Sequence, residues 1–170
     1  MEIIILAGNS LHNKEWAEEL ADNLASFGNC FVFNYHHWKT GEKNINFEYE
    51  LAKLVEKTKD LQEYILVGKS AGAILISLAM SKGMVNPRKC VLMGLPFKFA
   101  ENNGKDLKEA ILSSNVRREF IQNKNDPYGS AKEVKEILGS LKIKNYSFTE
   151  TDGDTHDYTD FDKIIELIRK

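Results

Sequence analysis

The stretch Tyr64-Ile65-Leu66-Val67-Gly68-Lys69-Ser70-Ala71-Gly72-Ala73-Ile74-Leu75-Ile76-Ser77-Leu78-Ala79-Met80 decides how this chain folds. Tyr64 to Val67 is a short, continuously apolar run, the signature of a strand buried on both faces. Gly68, Lys69, Ser70, Ala71 and Gly72 then form a G-x-S-x-G sequence, with small residues two before and two after the serine. Beyond it, Ile74, Leu75, Ile76, Leu78 and Met80 surround a whole helix, so this helix is expected to be central and buried on most sides. A strand, a sharp turn and a buried helix in that order are the context in which a serine is held in a strained turn with its hydroxyl exposed.

Gly68-Lys69-Ser70 also matches the end of a phosphate-binding loop, but that pattern needs a glycine five residues before Gly68, where Glu63 stands. Tyr64 to Val67 reads as strand rather than as a loop whose amides wrap phosphates. Lys69 is expected to point to solvent or to the rim of the site, without a role of its own.

Working outward, five further β-rich runs flank the central one: Glu2 to Leu6, Cys30 to Tyr35, Cys90 to Met93, Val116 to Gln122 and Tyr146 to Glu150, with the central run ending at Gly68. Arg117, Arg118 and Glu119 make the fifth run look exposed, as does the sixth, which suits positions toward one sheet edge. Amphipathic helices fill the gaps. Trp16, Leu20, Leu24 and Phe27 share one face before Gly28, and Phe47, Leu51, Leu54 and Val55 repeat the pattern. Val134, Ile137 and Leu138 do so before Gly139, and Phe161, Ile164, Ile165 and Ile168 close the chain. Strict alternation of strand and helix implies an α/β fold in three layers, with a mostly parallel six-stranded sheet and ligands at the carboxyl ends of its strands.

With 170 residues the chain suits a single domain, and 23 basic against 25 acidic residues leave a net charge of −2. The basic residues are scattered, which argues against nucleic-acid or membrane-surface partners and for small, roughly neutral ones. Ser70 to Ser81 is too short to span a bilayer. Ile3 to Ala7 is shorter than a signal-peptide core and lacks a basic leader, so a cytoplasmic location is expected. Cys30 and Cys90 read as reduced, buried thiols that begin strands, at the sheet edge opposite the reactive loops.

A serine nucleophile needs a general base, and the base an orienting acid. In doubly wound sheets these follow in the order Ser, Asp, His, and the chain supplies Asp126 after the fifth strand and His156 after the sixth. Asp152 and Asp154 are the replacements for Asp126, whereas Asp157 and Asp160 are expected to cap or precede the last helix. Ala71 N–H, at the start of the buried helix, is the first expected oxyanion donor. Asn9 N–H, in the loop after the first strand, is the second, with Ser10 behind it. Leu11 beside that loop, and Phe97 and Phe99 after the fourth strand, are expected to contact substrate, Leu95 to Phe99 being the one place for a short cap. His12 lines the entrance, and His36 and His37 beside Trp38 are expected on the rim or surface. The acidic loop around His156 does not match a calcium loop, and no metal or other cofactor is expected.

Three segments then carry a resemblance. Ile5-Leu6-Ala7-Gly8-Asn9, Val67-Gly68-Lys69-Ser70-Ala71-Gly72, and Phe120-Ile121-Gln122-Asn123-Lys124-Asn125-Asp126-Pro127-Tyr128-Gly129 with His156 resemble the corresponding loops of small α/β-hydrolases. The chain is similar to the dienelactone-hydrolase-like and the retinoblastoma-binding-protein-like serine hydrolases. The resemblance implies an eight-stranded sheet reduced here to six by the absence of the first two strands, while the joint order of serine turn, acid and base points to hydrolysis of a carboxylic ester or thioester through an acyl-serine. Dienelactone hydrolase itself uses cysteine, and many relatives have His-Gly where Ala7-Gly8 stands, so the substrate does not carry over. A non-catalytic binding or scaffold protein on the same fold is the alternative. Six strands, their helices and three loops consume nearly all of the chain, leaving an open site without a lid.

Overall fold

A computed structural model describes residues 1–170 as one six-stranded sheet in the order β2-β1-β3-β4-β5-β6, with every neighbouring pair parallel. The strands are β1 (Glu2–Leu6), β2 (Asn29–Val32), β3 (Tyr64–Lys69), β4 (Lys89–Met93), β5 (Arg117–Asn123) and β6 (Tyr146–Thr151). Helices α1 (Asn13–Leu24) and α8 (Phe161–Arg169) cover one face. Their Trp16, Leu20, Leu24, Ile164, Leu167 and Ile168 pack on Ile3, Ile5, Ile65, Val67, Val91 and Met93. Helices α3 (Phe47–Thr58), α4 (Ala71–Ser81), α6 (Leu107–Leu112) and α7 (Ala131–Ser140) cover the other, on Ile4, Leu6, Leu66, Leu92 and Phe120. Side chains alternate between the two faces along each strand, so continuously apolar runs fill both cores.

The chain runs from β1 out to β2 on one side and returns to β3 on the other. The loops after β1 and β3 therefore diverge at a switch point, the crevice where open parallel sheets bind ligands. Helix α4 is fully buried through Met80, as its apolar circumference requires. No helix is long and apolar enough to cross a membrane.

Several elements depart from the sequence reading. β5 is not an exposed strand: it lies inside the sheet between β4 and β6, and all of it after Arg117 is buried. Its charges are absorbed by remote partners. Arg118 donates to the carbonyls of Ile111 and Lys144, and Glu119 meets Arg117 at 2.8 Å and accepts from the Ser147 hydroxyl. The second strand is only Asn29–Val32 and forms the opposite edge, which leaves Cys30 half-buried instead of enclosed. The crossover from β4 to β5 contains two unexpected helices, α5 (Phe97–Asn102) and α6, and a single turn of helix, α2 (His37–Thr40), follows β2. Helix α7 continues through Gly139 to Ser140.

Candidate active site

Ser70 stands between β3 and α4 with φ 56° and ψ −115°, a conformation L-residues adopt only under constraint. The constraint is the approach of α4 to β1. Gly72 N–H donates to Ala7 O at 3.1 Å, and a Cβ on Gly72 would stand 2.0 Å from Leu6 O. The opposite flank is as tight, because a Cβ on Gly68 would stand 2.7 Å from Ile76 Cδ1. The two glycines thus let helix and strand close on the serine from both sides. Ser70 N–H donates to Met93 O at 2.9 Å, which ties the turn to the end of β4.

Asp126 and His156 are brought together from the loops after β5 and β6. His156 Nδ1 lies 2.9 Å from Asp126 Oδ1 and 2.8 Å from Oδ2. An ionised carboxylate can only accept, so Nδ1 carries a proton, and in the neutral imidazole the lone pair is then on Nε2. Nε2 is buried and has no hydrogen-bond partner, so the bond from Ser70 Oγ to Nε2 is not made in this state. The imidazole is nonetheless close to the serine turn. Its Cε1 lies over Gly94, the residue after Met93, so tightly that a Cβ there would be 2.8 Å away.

Asp126 is the acid that meets the histidine, while Asp152 and Asp154 are exposed. Its buried carboxylate also accepts from Tyr158 OH at 2.7 Å and from Tyr128 N–H at 2.8 Å. Burial, and the Asp126 carboxylate beside it, push the Tyr158 phenol far above its ordinary pKa, so it remains a donor. The Tyr128 ring lies 4.6 Å from that of His156 and is 54% exposed, so it covers the imidazole and faces solvent at once. Asn123 fixes the His156 loop by donating to Thr155 O at 3.0 Å and to Asp157 O at 3.2 Å. Tyr158, Tyr128, Asn123 and Gly94 were not legible as site residues from the sequence. Tyr128 alone carried a signal, its place two residues after Asp126.

The loop after β1 is clamped from the segment following β2. Asn9 O accepts from His37 Nε2 at 2.7 Å and Trp38 Nε1 at 2.9 Å, and Tyr35 OH donates to Ala7 O at 2.8 Å. The Asn9 side chain accepts from Ile45 N and donates to Lys43 O. Asn9 N–H has no acceptor within the chain, and Ala71 N–H lies in the first turn of α4, whose amides lack helical acceptors. His37 is therefore not a rim residue: it is 4% exposed beneath the loop, whereas His12 and His36 are exposed.

Lys69 departs furthest from expectation, being 2% exposed. It points away from solvent, onto the α1 and α8 face, and donates to Asn13 Oδ1 at 2.8 Å. Asp160 caps α8 by accepting from Lys163 N–H, but Asp157 instead faces Lys69 at 3.7 Å. Leu11 is exposed beside the clamped loop. Phe97 and Phe99 are half-buried against the core, and Phe97 lines a cleft of about 530 Å³ with Leu107 and Ile137, apart from Ser70 and His156. No group of three or more His, Cys, Asp or Glu side chains is placed to hold a metal ion.

No protein-family profile matches the sequence, and no curated protein is similar to it in sequence. Solved structures do superpose. Est1E from Butyrivibrio proteoclasticus, in complex with ferulic acid, has a TM-score of 0.77 over 99% of this chain and 86% of its own, at 12% identity. A lipase-esterase related protein from Clostridium acetobutylicum gives 0.74 over 99% and 93%, at 13% identity. A cold-adapted esterase from an Arctic intertidal metagenomic library gives 0.71 over 98% and 80%, at 14% identity. Likeness at such low identity speaks to architecture, and with the strained serine turn at the switch point it shows that the chain carries the α/β-hydrolase fold.

Proposed function

We propose that this chain is a serine hydrolase that cleaves a small carboxylic ester or thioester through an acyl-Ser70 intermediate. The observation that carries the reading is the pairing of His156 with buried Asp126, which leaves Nε2 unpartnered while the imidazole packs its Cε1 over Gly94 beside the strained Ser70 turn. Ser70 Oγ attacks the acyl carbon while Nε2 takes its proton, and the carbonyl π pair moves onto oxygen. Ala71 N–H and Asn9 N–H receive that oxyanion, the bonds from His37 and Trp38 to the Asn9 carbonyl and from Ile45 to its side chain holding the residue in place beforehand. Collapse expels the alcohol or thiol, which leaves with the proton from Nε2. Water then repeats the sequence on the acyl-enzyme, with the carboxylic acid departing and Ser70 regaining its proton.

Leu11 and Tyr128, both exposed beside these loops, are the apolar contacts for the substrate. Phe97, facing its separate cleft, is not assigned one. The names of two structural neighbours, a cold-adapted esterase and a lipase-esterase related protein, support an ester substrate. The cytoplasm is the compartment that suits two free cysteines. The unmade Ser70–His156 bond is what favours the alternative, a binding protein without turnover. A panel of short and long acyl esters separates the two. Turnover that is lost in Ser70→Ala and His156→Ala supports the hydrolase, and absence of turnover in the wild type with every ester supports the binding protein.

A further inference from the structure

Strand alternation sends Lys69 onto the apolar face shared by Ile65, Val67 and Met93, where its stem is enclosed and its ammonium lies 5.1 Å from the Trp16 ring. A methionine would fill such a slot without the cost of desolvating a charge. The ammonium instead reaches two other loops. It donates to Asn13 Oδ1 at 2.8 Å, and Asn13 in turn donates to Ser10 O at 3.2 Å. The Asn13 amide also packs on Gly8 so closely that a Cβ on Gly8 would be 2.8 Å from Nδ2. On the other side the ammonium faces Asp157, the residue after His156, at 3.7 Å.

We propose that Lys69 is a positioning residue, whose buried ammonium holds the oxyanion loop, the serine turn and the His156 loop in one register. The proposal rests on the reading of Ser70 as nucleophile, and it assigns a task to the variable position inside G-x-S-x-G. Burial lowers the Lys69 pKa, and the carboxylates of Asp157 and Asp126 oppose that fall. Nothing titratable faces it from α1, which contributes Asn13 and Trp16. A charge kept here against its desolvation cost is the kind of local inconsistency that functional sites retain.

The test compares Lys69→Met, Lys69→Arg, Asn13→Ala and the double variant Lys69→Met/Asn13→Ala. Lys69→Met should lose about tenfold or more in kcat, in line with small misplacements of catalytic groups, with KM within about twofold. Its melting temperature should equal or exceed that of the wild type, since the desolvation cost is gone. Lys69→Arg should recover most of the loss, and the double variant should be no worse than Lys69→Met, as expected for two members of one network. Wild-type kcat in Lys69→Met, or a loss of kcat accompanied by a lower melting temperature, overturns the proposal.

Hydrogen exchange supplies a readout free of turnover. In Lys69→Met, amides at 9–13 and 154–158 should exchange faster while those of β1 and β3 do not, and unchanged exchange in the two loops overturns the proposal. If the wild type itself shows no turnover, the hydrolase reading fails, and the exchange result still decides whether Lys69 holds the loops. Should Lys69→Met not fold, Asn13→Ala carries the same measurements alone.

Discussion

Replacing Gly94 with alanine should disable the site through one methyl group. Two effects add at this position. Gly94 has φ +60°, where an L-residue costs about 1–2 kcal/mol relative to glycine. The new Cβ would also stand 2.8 Å from His156 Cε1 and 2.8 Å from Tyr158 Cε2, whereas ordinary contact begins at 3.4 Å. Relief therefore needs a shift of about 0.6 Å, the difference between those two distances. The imidazole has little freedom to make it, because both Asp126 oxygens hold Nδ1 and the Tyr128 ring lies 4.6 Å away. Since about 1 Å of misplacement can cost about a hundredfold, the expected loss in kcat is about ten- to a hundredfold. Gly104→Ala is the matched control, with φ +65° and nothing within 4 Å of the added methyl. Both variants should lose about 2–8 °C of melting temperature from the backbone cost alone, at about 2–4 °C per kcal/mol for a chain of this size. Only Gly94→Ala should lose activity beyond that. If ester hydrolysis by folded Gly94→Ala stays within twofold of Gly104→Ala, the packing of His156 over Gly94 is not part of the catalytic geometry.

Three further outcomes follow from the same site and its surroundings. Tyr158→Phe removes a buried donor to Asp126 and the acceptor of Asn123 N–H, so it should cost about 2 kcal/mol, seen as a midpoint shift in urea. An unchanged midpoint would show that neither bond contributes. The Tyr158 phenol is raised above its ordinary value of 10.0, mainly by burial. Above pH 10 the unfolded chain therefore loses a proton that the folded chain keeps, and stability falls with rising pH. Tyr158→Phe should flatten that alkaline limb in urea titrations, and equal slopes would count against the burial of the phenol. Cys90 is fully buried with its thiol pushed up to about 12, so at pH 8 a thiol reagent should modify half-buried Cys30 first and reach Cys90 only at the rate of global unfolding. Equal rates at both cysteines would contradict the packing beneath β4.

Strands β1, β3 and β4 and the major helices were legible because each buries an apolar run or stripe whose period is local. Helices α5 and α6 were not, since six residues show less than two turns of periodicity and Pro96, Gly104 and Lys105 interrupt them. β5 misled because Arg118 and Glu119 look solvated until their partners are seen, and Ile111, Lys144 and Ser147 come from other elements. The same holds at the site. Ser70, Asp126 and His156 could be placed by chain order, because a parallel sheet delivers every strand-to-helix loop to one edge. Tyr158 and Lys69 could not, because their tasks depend on where Asp126, Asn13 and Asp157 lie in space. His37 reads as a surface histidine until the fold sets it under Asn9.

The central claim is that Ser70 is an activated nucleophile, and covalent labelling tests it most directly. A fluorophosphonate should add once to the wild-type protein, with phosphorus bonding to Ser70 Oγ and fluoride leaving, and peptide mapping should place the mass on Ser70. Labelling should vanish in Ser70→Ala and fall by orders of magnitude in His156→Ala. Labelling of Ser70→Ala at the wild-type rate, or a wild type inert to the probe, would contradict the account.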